Sequence, residues 1–278
     1  MARENTLILG ALNVAAHPHP TGIYRDVFSR SADVEIDYWG QQKAKLTKPQ
    51  DRGEGFFQGR ILIWTEIDRT KPGIKKSSNT EVSYDELDVS IPRDVGFNLH
   101  AHVYTFRESD HTFFFEVKNE RGDSLSPSRA KRILDRVFAK VLLESETQVD
   151  CTVVPRRGAV EHVLALPVIW ELELQIVRPN NDVGEYQDLL DDLDGQGVSR
   201  QKLVYKAADR KTGIKPNDKT KGLAAVAAMN GKVTTKGKAD GEKDQRSTEA
   251  LPATFPTIVE EDQSFVERAL SLARNIIL

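Results

Sequence analysis

Apolar and polar positions change period several times along this chain, and each change marks an element. Thr6 to Val14 reads as a buried strand, closed by the turn-rich His17-Pro-His-Pro20. Thr21 is placed to cap a short helix through Ser29, with Ile23, Val27 and Phe28 inward. Gln41 to Gly59, rich in Lys, Pro, Gly and Gln, reads as a loop. Arg60 to Ile67 is apolar on both faces and predicts an internal strand, followed by a long surface connection over Asp68 to Ser83.

The stretch from Val95 to Asn180 carries the strongest pattern. Phe97, Leu99, Ala101 and Val103 form one face of a strand, and Asn98, His100, His102, Tyr104 and Phe106 the other. In the next strand Phe113, Phe115 and Val117 are the natural core face. Bringing the two odd sets together requires paired residue numbers with an even sum, and a turn of three or five residues around Ser109 and Asp110. His100, His102, Tyr104, Phe106, Phe114, Glu116 and Lys118 then share the opposite face.

Ser126-Pro127 starts a helix in which Ala130, Ile133, Leu134, Val137, Phe138, Val141 and Leu142 keep three-and-four spacing. Strands follow at Gln148 to Val154 and at Val168 to Val177, with a short helix or turn over Ala159 to Leu166. Asp182 to Leu193 predicts an acidic helix, and Ser199 to Asn217 is basic and weakly patterned. Asp218 is a candidate cap for a helix over Lys219 to Met229. Lys232 to Thr248 suits a hairpin turning at Asp240-Gly241, and Phe265, Ala269, Leu272, Ala273 and Ile276 stripe a last helix. The order predicts an α+β fold: a ferredoxin-like antiparallel sheet with helices on one face over residues 1–180. A smaller helical and hairpin part over residues 181–278 would pack on it.

Composition narrows the class more than the activity. With 39% hydrophobic and 29% charged residues the 278-residue chain suits a soluble protein with a large core, and its apolar runs predict no membrane partner. Cys151 is the single cysteine, which fits a reducing, cytoplasmic setting. The formal charge of −3 hides an uneven distribution: six acids and no base in residues 182–194, against eight bases and two acids in 200–221. Such a chain can attract a polyanion locally.

Three chemistries are open at the hairpin. Rings beside cations suit RNA or another single strand, with bases stacking on His100, His102, Tyr104, Phe106 and Phe114. Lys232, Lys236 and Lys238 would then hold the nucleic-acid backbone. In the competing reading the chain's own C-terminal half covers that face. The second chemistry is a nuclease in which Asp110 and Glu116 hold Mg or Mn and Lys118 orients water. Otherwise no cofactor is expected: His100 and His102 lack further zinc ligands at suitable spacing, so no metal site is assigned. Gly231 to Gly237 has five residues between its glycines and Ala239 after Lys238, which excludes a Walker A loop. The third possibility is a protein-binding subunit without catalysis.

Gly59-Arg-Ile-Leu-Ile-Trp-Thr-Glu-Ile-Asp68, Val177-Arg-Pro-Asn-Asn181, Met229-Asn-Gly-Lys-Val233 and Arg246-Ser-Thr248 together resemble an uncharacterised bacterial family, the domain of unknown function numbered 4747. The resemblance spans most of the chain and brings no catalytic residue with it. Families of this kind often sit in mobile or antiviral-defence regions of bacterial genomes, which suggests work inside a larger assembly beside another protein subunit.

Overall fold

The computed structural model describes residues 5–87, 91–178, 191, 193, 195–259 and 263–278. In chain order it begins with β1 (Asn5–His17), α1 (Ile23–Ser31), β2 (Ile36–Trp39), β3 (Gln42–Leu46), β4 (Gln50–Gly53) and β5 (Phe56–Thr65). A small hairpin, β6 (Gly73–Lys75) and β7 (Thr80–Val82), leads to β8 (Phe97–Arg107), β9 (Thr112–Lys118), α2 (Pro127–Val141) and β10 (Gln148–Val153). Then come α3 (Ala159–Leu164), β11 (Val168–Val177), β12 (Arg200–Lys206) and α4 (Asp218–Met229). The chain ends with β13 (Gly231–Ala239), β14 (Glu242–Ser247), β15 (Thr254–Val259) and α5 (Phe265–Asn275).

The first sheet runs β10-β1-β9-β8-β5-β3-β2, antiparallel throughout. Its strands β10-β1-β9-β8, with α1 after β1 and α2 after β9, reproduce the ferredoxin-like order. The predicted loop over residues 41–59 instead supplies β3 and β4, which lie end to end along β5. Likewise β15 and β10 share one edge of the long β1, on Asn5–Gly10 and Leu12–His17 respectively.

Helices α1 and α2 cover one face of this sheet. Phe28, Phe57, Tyr104, Phe106, Phe113, Phe115 and Phe138 are buried there, with ring centroids 5.0–5.7 Å apart in pairs such as Phe57–Phe106 and Phe28–Phe113. Two strand glycines make room for these rings: a Cβ on Gly59 would fall 2.5 Å from Tyr104 Oη, and one on Gly10 2.6 Å from Phe115. On the other face α5 packs Phe265, Ala269 and Ala273 against Leu7, Leu9, Ala11 and Phe114.

Because both faces are covered, the expected pairing parity is corrected. Tyr104 pairs with Phe115 and Phe106 with Phe113, so the numbers sum to 219 and the turn spans the four residues 108–111. Tyr104 and Phe106 of the even set lie under α1 and α2, while Val103, Thr105 and Arg107 face α5. Phe97 and Leu99, assigned to the core by alternation, are 38% and 47% exposed, near the end of β8 away from the turn.

The second sheet, β12-β11-β13-β14, carries α3 and α4 on one face over Leu172, Leu174, Ile176 and Val233. Val168–Val177 therefore belongs here, and the sheets do not divide at residue 180. Residues 156–251 form an insertion between β10 and β15. The two crossing segments lie side by side: Pro155 bridges Pro252, Arg156 N–H donates to Leu251 O at 2.8 Å, and Ala253 N–H to Val154 O at 2.8 Å. The hairpin at Asp240-Gly241 is present, with φ of 49° and 90°. Asn217, one residue before the expected cap, accepts the Thr220 N–H at 2.9 Å. Of the acidic helix expected over Asp182 to Leu193, only Asp191 and the buried Leu193 lie within the described residues.

Candidate nucleic-acid interface

Alternation on the second sheet sorts its side chains cleanly. On β11 the even residues Leu172, Leu174 and Ile176 turn toward α3 and α4, leaving Glu171, Glu173 and Gln175 outward. On β13 Val233, Thr235 and Gly237 are buried, while Lys236 and Lys238 are exposed. On β12 the exposed residues are Arg200, Lys202, Val204 and Lys206, and Lys243 lies across from Lys238. This outward side divides in two. At one end it closes against β10 and α2 over a cleft of about 720 Å³, lined by Asp150, Cys151, Gln175, Arg200, Lys232 and Glu249 among others. At the other end Lys206, Glu171, Lys236, Lys238 and Lys243 stand in the open.

Charge on the open end is unbalanced. Lys236 meets Glu171 at 2.8 Å and Lys202 meets Glu173 at 2.9 Å. Their hydrogen bond holds Glu171 below the usual carboxylate range and Lys236 above that of lysine. Lys206, Lys238 and Lys243 have no carboxylate within 4 Å among the described residues. A bulge at Trp170 sets that residue beside Glu171. Its indole N–H donates to Arg210 O at 2.9 Å, and the Arg210 guanidinium lies 5.7 Å from the ring centroid. An aromatic ring and Arg210 thus adjoin the lysines. In the cleft the charges cancel in pairs: Lys131 with Asp135 at 2.6 Å, Lys232 with Glu249 at 2.9 Å, and Arg200 with Asp150. Burial and the neighbouring Asp135 carboxylate raise the Cys151 thiol well above its ordinary value, so it is not an activated nucleophile.

The hairpin residues fare differently. Tyr104, Phe106 and Phe114 are fully buried, the first two under α1 and α2 and the third with Phe255 and the residues of α5. They are core, covered partly by the C-terminal part and partly by the helices of the same half. His102 is buried, and burial pushes its pKa down to about 4. Beyond Tyr104–Phe115 the ladder between β8 and β9 gives way to side chains. Val103 N–H donates to Glu116 Oε2 at 2.6 Å, Asn119 Nδ2 to Ala101 O at 3.1 Å, and His102 Nδ1 lies 3.1 Å from Glu116 O. His102 and Glu116 therefore stitch a fork in the sheet, and the His102 proton sits on Nδ1. His100 is half-buried, with Nδ1 3.1 Å from Asp123.

The residues of the nuclease pattern are not gathered into one site. Asp110 accepts hydrogen bonds from Arg107 at 2.8 and 2.5 Å in the turn before β9. Lys118 is exposed at the far end of β9, roughly 20 Å along a strand of that length. Glu116 is buried, and desolvation raises its pKa to about 7. Among the described residues no three His, Cys, Asp or Glu side chains gather to hold a metal ion. Of the expected binding residues, Lys236 and Lys238 share the open face and Lys232 lines the cleft. Lys206 and Lys243 were not singled out, although Leu203 and Tyr205 alternating with Lys202, Val204 and Lys206 carry a strand signal.

No curated protein matches the sequence. The family model described as Domain of unknown function (DUF4747) matches residues 5–274, nearly the whole chain and both sheets, and the protein belongs to that family.

Proposed function

We propose that the protein binds nucleic acid, RNA or another single strand, through the open end of the second sheet. The observation that carries this reading is the uncovered β-surface on which Lys206 of β12, Lys236 and Lys238 of β13 and Lys243 of β14 stand, with β11 and its Glu171 between the first two strands and Arg210 beside them. Outward side chains two apart on a strand are spaced about 7 Å, and neighbouring strands about 4.8 Å, so the ammonium groups form a grid that an extended phosphate chain can follow. Lysine acts as a point charge without base preference, so the affinity is electrostatic and falls with salt. A chain of net charge −3 would bind a polyanion through a local patch of this kind and not through a general cationic surface.

The test is the triple variant Lys206→Glu, Lys238→Glu and Lys243→Glu, measured against a short single-stranded oligoribonucleotide over a salt series. The wild type is expected to bind at low salt, with log K falling by about 0.7 per neutralised phosphate per decade of salt. The variant is expected to lose most of the affinity and flatten the slope. Equal binding by the two proteins, or none by the folded wild type at low salt, rejects the reading.

A further inference from the structure

We infer that Trp39 and Arg132 form a stacking site for an unpaired nucleobase, joined to the lysine face by the groove beside α2. The inference rests on the nucleic-acid reading and names the part of the ligand that the lysines do not read. Trp39 ends β2 and is 67% exposed; the only other exposed ring among the described Phe, Tyr and Trp residues is Phe97. Alternation puts Ile36 and Tyr38 inward and Asp37 and Trp39 outward, and the chain turns at Gly40 with φ of 55°.

The strand beneath this ring is held by cations of α2. Arg136 Nη1 donates to Asp37 O at 2.6 Å and Tyr38 O at 2.9 Å, and Lys140 Nζ to Glu35 O at 2.9 Å. Arg129 Nε donates to Tyr38 Oη, and its guanidinium lies 5.4 Å from that ring's centroid. The acceptor atoms are neutral backbone carbonyls and a phenol, and the Asp37 carboxylate of the same strand forms its ion pair with Lys43 at 2.7 Å. These cations of the helix thus fix the strand that bears Trp39 without forming ion pairs of their own among the described residues. The ring is presented on a prepared support, which lowers the ordering cost of a contact.

Arg132 connects the ring to the rest of the surface. Its guanidinium carbon lies 5.8 Å from the Trp39 centroid, and Arg132 also lines a groove of about 490 Å³ with Ser128, Ser247 and the ion pairs Lys131–Asp135 and Lys232–Glu249. From Lys232 the same strand leads outward to Lys236 and Lys238. A guanidinium over one ring face leaves the opposite face for a flat partner, and every base has a π-face to offer. Bases inside a duplex are already stacked on both sides. The geometry therefore selects a single strand, with phosphates on the lysines and one base on the indole.

The test compares binding of the full chain to an oligouridylate and to an abasic strand of equal length and charge, at one salt concentration, with a duplex alongside. Trp39→Ala and Trp39→Phe are measured beside the wild type, each checked for an unchanged circular dichroism spectrum. The wild type is expected to prefer the base-bearing strand roughly five- to a hundredfold. Trp39→Ala should remove that preference and keep the salt slope, and Trp39→Phe should retain part of it. Undiminished preference in Trp39→Ala, or duplex bound as tightly as the single strand, overturns the stacking site. Loss of binding in the triple lysine variant with preference indifferent to Trp39 sinks the stacking site alone. No binding to either strand sinks the nucleic-acid reading with it.

Discussion

Glu116 shows what one buried carboxyl does to the pH behaviour of the fold. Its side chain is 2% exposed, accepts the Val103 N–H, and is shifted from 4.5 to about 7, chiefly by desolvation. The folded chain therefore holds this proton more tightly than the unfolded chain. Its contribution to stability is complete below about pH 4.5 and is lost as pH rises through about 7. The size is on the order of 3 kcal/mol. His102 and His111, both lowered to about 4 by burial, act in the opposite direction: their contribution is present above about pH 6.5 and lost as pH falls to about 4. Glu116→Gln removes the carboxyl and keeps an oxygen for Val103. The gap in urea midpoint between this variant and the wild type is expected to widen in the variant's favour between pH 4.5 and 7. A gap that stays constant with pH contradicts the assignment. The Glu-x-Lys spacing carries no sign of this burial, because it arises from the neighbouring strands, with Leu9 of β1 paired beside Glu116 and Val103 of β8 donating to its carboxyl.

Among elements, α5 shows how a covering layer is fastened. Its inner face supplies Phe265, Ala269 and Ala273, and Arg107 ties down its C-terminal end. Arg107 Nη1 donates to Ala273 O and Ile276 O, each at 2.8 Å, where the helix leaves carbonyls without intrahelical partners. Its remaining nitrogens hold Asp110, and its guanidinium lies 5.0 Å from the Phe114 centroid. Arg107→Met would keep most of the volume and leave Asp110 and the helix end without their cation. The expected loss is about 3 kcal/mol in urea unfolding, with amide exchange rising first in α5. Exchange that rises evenly over the whole chain would show that Arg107 is not the fastening of that helix. The stripe of α5 was legible, as were α2, β11 and the β13–β14 hairpin, because each has one dominant period, whereas β5 was read only from Arg60 onward and its first residues, Phe56 to Gly59, as loop. The face that α5 covers was not legible. Alternation on β8 reports two buried faces, and Phe97 and Leu99 look like core only until the extent of the covering helices is known.

At the scale of the whole molecule, the insertion decides how the two sheets relate. Each sheet has its own apolar core, one built on both faces of the first sheet and one between the second sheet and α3 and α4. Between them the contacts are largely polar: Arg200 with Asp150, Asn13 Nδ2 with Asn230 Oδ1 at 3.0 Å, and His17 Nε2 with Arg178 O at 2.7 Å. Such a junction resembles a contact between domains more than a shared core. The crossing segments are already neighbours at Pro155 and Pro252, so residues 157–250 can be replaced by a short turn without stretching the first sheet. The shortened chain is expected to unfold cooperatively in urea, because β15 and α5 still reach β1 and cover Phe114. It is also expected to lose salt-dependent oligonucleotide binding, because the lysine face goes with the insertion while Trp39 and the cations of α2 remain. A shortened chain without a cooperative transition would mean that the polar junction carries more of the fold than its chemistry suggests. Binding that survives the excision would move the main polyanion site from the second sheet to α2.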